Sequence, residues 1–241
     1  MRRAVLALVL LPLLAAACGG SKSPSSTASP LDAVKSAAQK TEQAGSARLI
    51  VDAQVADAGQ TIGLHGNGAY DVNAHDGSLN ATFDAGAVSG AVEEVLKGTD
   101  VYLKSDLFAL ALPAGKTWLK VDLAKAAKSK GLDLRSLLDA DPSTVLKALE
   151  SQPSATKVGS ATIDGTATTE YSAGPYDVWV GSDGYIHQLK ATISAGATAG
   201  GKVSGTVTTQ LSSFGAKVSV TVPPAASTYA GTTASIPGLG G

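Results

Sequence analysis

Residues 201–215 read "GKVSGTVTTQLSSFG", and from Val203 to Ser212 the side chains alternate without a break. Val203, Gly205, Val207, Thr209 and Leu211 fall on one side of an extended backbone, and Ser204, Thr206, Thr208, Gln210 and Ser212 on the other. A period of two marks a strand with one dry and one wet face, and no helix can present it. The same period runs through "ARLIVDAQV", where Leu49, Val51, Ala53 and Val55 share a face, and through "TIGLHGNGAYDV" and "GSLNATFDA". "VYLK" and "KTWLKVD" follow as short strands, while residues 88–97 fit a strand or a helix equally well. A second strand-rich block comprises "TKVGSATIDG", "TATTEYSAG", "YDVWVGSDGYIHQLKATISA" with a hairpin turn at Asp183-Gly184, the 201–215 stretch, and "AKVSVTVP".

Two helical segments punctuate these blocks. "LDAVKSAAQKTEQAG" places Leu31, Val34, Ala38 and Thr41 at helical spacing, with Gly45 as its C-terminal stop. Between the blocks, "LAKAAKSKG", "LDLRSLLDA" and, after Asp141-Pro142, "STVLKALESQ" read as short helices. Segregated strands and helices predict an α+β domain with a mainly antiparallel sheet. About ten strands cannot lie flat, so twist must curl the sheet into a half-barrel. The short helices then cover its concave face.

The chain holds one cysteine, Cys18, so no internal disulfide can form. Before it stand Met1-Arg2-Arg3 and an apolar run from Ala4 to Ala17, whose helical length of about 21 Å falls short of the ~30 Å hydrocarbon core. Residues 1–17 therefore read as a cleavable signal peptide and not as a permanent span. Ala15-Ala16-Ala17-Cys18-Gly19 resembles the lipobox of bacterial lipoproteins, although Ala15 stands where Leu is usual and Leu14 lies one place further out. The resemblance implies that Cys18 is diacylated and anchors the chain to the cell membrane, on its extracytoplasmic face. Two acyl chains hold durably where one holds weakly. Residues 18–30 form a flexible tether rich in Gly, Ser and Pro, 31–222 one folded domain, and 223–241 a disordered tail of Pro, Ala, Ser, Thr and Gly. Removing Arg2 and Arg3 from 19 basic residues leaves 17 against 20 acidic ones, a net charge of −3 that offers nucleic acid no attraction.

Two Trp, six Tyr and three Phe are few for a domain of this length, while Gly alone numbers 27. Small side chains on the dry face (Ala53, Ala81, Gly205) either pack thin layers or leave a hollow, and composition does not separate the two. The chain resembles the actinobacterial LppX/LprG-type envelope lipoproteins with a LolA-like half-barrel. The resemblance rests on Cys18, "AVKSAAQKT", "GTDVYLK" with "TWLKVD", and "DVWVGSDGYIHQLK" leading to "FGAKVSVTVP". It implies a hydrophobic cavity between sheet and helices that holds the acyl chains of a lipid or lipoglycan on its way through the envelope. Val51, Leu64, Leu79, Phe83, Val101 and Leu103 from the sheet, and Leu134, Leu137, Leu138, Val145, Leu146 and Leu149 from the helices, are the side chains placed to line it. The partners implied are the membrane, that lipid ligand, and an envelope transporter. The alternative is an anchored binding or scaffold module that acts through its surface.

Signals for chemistry are weak, and no enzyme, cofactor or metal is expected. "GATAGGKVS" approaches a phosphate-binding loop, but Val203 stands where Ser or Thr must hold magnesium, and a strand follows where a helix should begin. His65 and His75 near Asp71 and Asp76 match no metal-ligand spacing. His187 reads as a core or rim residue, and "GAVSG" misplaces its Ser for a nucleophile elbow.

Overall fold

The computed structural model describes residues 28–57, 60–106, 112–122, 142–198 and 201–231. The signal peptide, Cys18 and most of the tether lie outside these residues, as do Leu134, Leu137 and Leu138.

Helix α1 (Pro30–Gln43) begins where Ser29 accepts a hydrogen bond from the Asp32 amide and Pro30 occupies the first turn, where its missing N–H costs nothing. It ends at Ala44, followed by Gly45 at φ 77°, a left-handed conformation that suits glycine. Strands β1 (Ser46–Asp57), β2 (Gln60–Asp71), β3 (Asp76–Ala85), β4 (Val88–Lys97), β5 (Asp100–Ser105) and β6 (Trp118–Asp122) follow. The ambiguous 88–97 stretch is thus a strand. Helix α2 (Pro142–Glu150) precedes β7 (Thr156–Ile163), β8 (Thr166–Ala173), β9 (Tyr176–Gly181), β10 (Ile186–Thr198) and β11 (Gly201–Ser212), and a single 3-10 turn leads to β12 (Thr228–Ala230).

The described strands form one sheet in the order β12-β6-β5-β4-β3-β2-β1-β11-β10-β9-β8-β7. Every pairing is antiparallel except β12 on β6. Two meanders, β1 to β6 and β7 to β11, are joined at their centre by β1 against β11, from Arg48 opposite Ser212 to Ala56 opposite Ser204. The sheet does not close, and it is a curled half-barrel with its helices on the concave face.

Two sequence expectations are corrected. "AKVSVTVP" alternates, yet residues 216–224 join no strand ladder. Its neighbourhood is the start of β1, where the Gly215 amide donates to Ser46 O and the Ser46 hydroxyl donates to Ala216 O. Since β1 already pairs with both β2 and β11, no edge is free there. The expected disordered tail, in turn, begins with structure. Lys116 Nζ donates to the carbonyls of Ala225 and Ala226, the Thr117 amide to Ser227 O, and Tyr229 stands beside Leu119 as β12 completes the sheet edge. A three-residue edge strand needs little beyond backbone groups, so composition does not betray it.

The packed core lies at one end of the sheet. Val34, Ala37 and Ala38 of α1 and Leu146 and Leu149 of α2 close on Ala173, Val178, Ile186 and Leu189. Among the described elements, α1 packs chiefly on β7 to β10 and α2, and so on that half of the sheet. Thr41 locks the contact, its hydroxyl donating to Ala37 O at 2.7 Å and accepting the Ile186 amide at 2.9 Å. Lys40 reaches the β9–β10 turn, its ammonium 2.5 Å from Asp183 O and 4.5 Å from the centre of the Tyr185 ring, which stacks on Phe214.

Asp183 itself bonds the buried His187 ring, at 3.0 Å from Nε2. Partial burial alone would raise its carboxyl, but the Tyr185 amide and the His187 ring together outweigh that and hold it below the ordinary aspartate range. A lowered folded value means that this stability is present above the unfolded pKa of about 3.9 and is lost as pH falls through the folded value. Asp183→Asn should therefore lower stability at pH 7, by less than about 1 kcal/mol because the carboxylate side chain is 45% exposed and screened. Urea melts at pH 7 and pH 3 test it: the difference between variant and parent must shrink at the lower pH.

Candidate functional site

Register determines which side chains share the concave face. Leu189 of β10 stands opposite Thr209, Thr209 opposite Val51, and Val51 opposite Gly66, so the face that α1 covers at β10 continues across β11 and β1 into the first meander. There it carries Leu64 opposite Phe83, Gly68 opposite Leu79, Leu96 opposite Val101, and Leu103 opposite Leu119. All six sheet residues expected from the sequence therefore lie on one continuous apolar face. Val51, Leu64, Leu79, Phe83 and Leu103 are partly exposed there, whereas Val101 is buried. Toward the open end Ile62 is exposed at 42% and Val88 at 47%.

The helical candidates divide. Leu146 and Leu149 are buried in the packed core with α1, and Val145 leans against it. They fill space at the β8–β10 end instead of facing the exposed strip. Leu137 and Leu138 fall outside the described residues.

Small residues shape the strip. The Gly66–Ala81 pair sits between the Leu64–Phe83 and Gly68–Leu79 pairs, leaving the β2–β3 surface low there, and beyond it the buried Tyr70 stands opposite Gly77. At Gly66 an added Cβ would lie 2.7 Å from the Cβ of Ala81, so the close approach of β2 and β3 requires the missing side chain.

One polar residue breaks the strip. Glu94 pairs with Leu79 on one side and Leu103 on the other, which puts its carboxyl on the apolar face. Burial disfavours its charged form and pushes its pKa up. Its neighbour Glu93 points the opposite way and meets Lys104 at 3.0 Å. On that opposite face Lys97 meets Asp76 at 2.5 Å, Lys120 meets Asp100 at 2.7 Å, and the His65 ring bonds Asp52 at 2.5 Å. Glu94 has no hydrogen-bond or ion-pair partner among the described residues. The sequence reading missed it because residues 88–97 were ambiguous. Adjacent glutamates in a strand must split between the faces, and that signal finds it once a strand is assigned.

The polar face holds two shallow depressions of about 550 and 510 Å³, lined in part by Asp52, His65, Thr82 and Asp84, and by Asn67, Asn80, Glu93 and Lys104. His65 is committed to Asp52 and His75 sits in the β2–β3 turn, so the sequence neighbours His65, His75, Asp71 and Asp76 do not converge. No cluster of three metal-ligating side chains occurs among the described residues, nor a helix long and apolar enough to cross a membrane.

An open, curled antiparallel sheet with helices on its concave side defines the LolA-like half-barrel class. Within that class the chain is similar to two solved lipoproteins. It matches LppX of Mycobacterium tuberculosis with a TM-score of 0.50 and 16% identity, over 79% of this chain and 97% of that one. It matches LprF of Mycobacterium bovis with a TM-score of 0.50 and 15% identity, over 81% and 99%. At such identities the likeness is one of fold, and the fold is the one implied by the resemblance to the LppX/LprG group. No protein-family model matches the chain, and no curated protein matches it by sequence.

Proposed function

We propose that this chain is a membrane-anchored lipoprotein that binds the acyl chains of a lipid or lipoglycan along the apolar strip and carries it toward the cell envelope. The observation that carries the reading is the asymmetry of the concave face. The described helices pack on β7–β10, while Val51, Leu64, Leu79, Phe83 and Leu103 continue the same apolar surface with part of their area uncovered. An acyl chain laid there exchanges one apolar environment for another and restores dispersion contacts that an unfilled groove forfeits. The lipobox-like Cys18 supplies the anchor in this reading, on the extracytoplasmic side, and an envelope transporter is the partner that would receive the lipid. Such transfer runs by mass action and calls for no catalytic group.

Native mass spectrometry of the chain from Ala28 to Gly231, purified from its own host, tests it. The expected spectrum shows one or more bound lipid masses. Leu79→Trp, which fills the low β2–β3 surface without touching the α1–α2 core, should remove most of that signal while leaving the circular dichroism spectrum unchanged. Protein that is lipid-free in repeated preparations would instead favour the scaffold module acting through its surface.

A further inference from the structure

Residues 216–224 join no strand ladder, yet both ends of the run are fixed. At its start the Gly215 amide donates to Ser46 O and the Ser46 hydroxyl to Ala216 O, at the first residue of β1. At its end the Lys116 ammonium holds the carbonyls of Ala225 and Ala226, and the Thr117 amide donates to Ser227 O, beside the start of β6. These anchors stand at diagonal corners of the first meander. The direct path between them is about 29 Å for strands about 4.8 Å apart, and the chain from Ala216 to Ala225 reaches about 30 Å when extended. That leaves no slack for a detour, so the run crosses a face of the sheet.

Register identifies the face. Ser46 shares its side of β1 with Asp52, so its hydroxyl points to the polar, convex side. Along the row that a path from there meets, Ala69 and Ser78 are half-buried, and Val95 and Tyr102 are each only 7% exposed. One row further on the same face, Asn67, Asn80 and Lys104 are exposed. The helices lie on the concave side and do not cover Val95 or Tyr102. The run alternates to match: Ala216, Val218 and Val220 are half-buried, Lys217, Ser219 and Thr221 exposed, and Pro223 buried. It is a strap laid across the back of the strands whose front carries Leu79, Leu96 and Leu103. Side-chain contacts and end bonds seat it without a ladder, so it can lift locally while the sheet stays folded.

We propose that this strap holds the groove open: it keeps the first meander from curling further, so seating of the strap and binding of lipid favour each other. This rests on the lipid-binding reading and adds how the shape of that site is controlled. Tighter curling lengthens the outer surface of a sheet, and a strap already near full extension cannot follow. Once it lifts, the partly exposed Val51, Leu64, Leu79, Phe83 and Leu103 draw the meander closed on itself, because that buries apolar surface without a ligand. Coupling of this kind is reciprocal, so bound lipid must hold the strap down as firmly as the strap favours lipid.

The test uses the full chain purified with its anchor in detergent, titrated with dioleoylglycerol. Native mass spectrometry reads occupancy, and hydrogen exchange reads the amides of residues 217–222. In the parent, saturating lipid should slow exchange of these amides by about fivefold or more. Val220→Asp, which puts a charge on the seated side of the strap, should speed their exchange and weaken lipid binding by up to the same factor. Ser219→Asp puts that charge on the exposed side and should match the parent in both readouts. Should Val220→Asp lose its circular dichroism spectrum, Ser46→Ala, which removes one anchoring hydrogen bond, and the response of the parent itself decide the matter. Strap exchange indifferent to lipid in a parent that binds it overturns the proposal and leaves the groove standing. So does parental affinity in a folded Val220→Asp with a lifted strap, or an equal loss in Ser219→Asp. A parent that does not bind the probe overturns the groove and the proposal together.

Discussion

Leu149→Ala should lower the unfolding free energy by about 2–5 kcal/mol, a large share of the roughly 5–15 kcal/mol typical of a domain. Leu149 is 0% exposed and Leu146 beside it 2%, both enclosed by Val34, Ala37 and Ala38 of α1 and by Ile186 and Leu189 of the sheet. The neighbours cannot collapse easily into the void, since α1 is tied to the sheet by the Thr41–Ile186 hydrogen bond and to the β9–β10 turn by Lys40. Urea unfolding should show a lower midpoint at an unchanged slope, whereas Leu149→Met should cost under about 1.5 kcal/mol. A loss within about 0.5 kcal/mol for the alanine variant would mean that Leu149 behaves as a surface residue and that the helix pair does not form this core.

The second large effect is expected at Gly68→Val. An added Cβ would overlap the carbonyl oxygen of Ser78 and lie 3.1 Å from the Leu79 Cα, so the backbones of β2 and β3 would have to part. Overpacking of this kind costs about 1–3 kcal/mol before any ladder bond is lost. Gly63→Val is the matched comparison on the same strand, because the nearest atom to its added Cβ is Asp84 O at 3.9 Å. Thermal melts of the two variants should differ by several degrees, with Gly63→Val close to the parent. Equal melting temperatures would contradict the close β2–β3 approach at Gly68.

Much of this architecture could be read from the chain before any coordinates, and the reasons are local. Alternation from Val203 to Ser212 and from Leu49 to Val55 reports strands because the side-chain period of an extended chain is two. The α1 boundaries follow from Ser29, Pro30 and Gly45, whose backbone preferences act within a few residues. What stayed illegible depends on distant partners. The extended run after Ala216 has a strand's pattern but no neighbour, because β11 and β2 already flank β1. β12 lacks a pattern yet finds an edge at β6. That Val51, Leu64, Leu79, Phe83, Val101 and Leu103 share one face was legible from periodicity. The burial of Leu146 and Leu149 against α1 was not, since both a core helix and a lining helix show the same apolar spacing. Glu94 was hidden by a single unresolved choice between helix and strand.

The seam between the two meanders also bears on how the molecule comes into being. Hairpins within each half can zip from their own turns soon after they emerge, but Leu49 must wait for Leu211, near the end of the domain, before its second flank is covered. Closing so distant a pair is entropically slow compared with local hairpin formation. For that interval β1 is an unprotected border with an oily side, which makes the nascent chain dependent on rapid completion and vulnerable to self-association if it stalls.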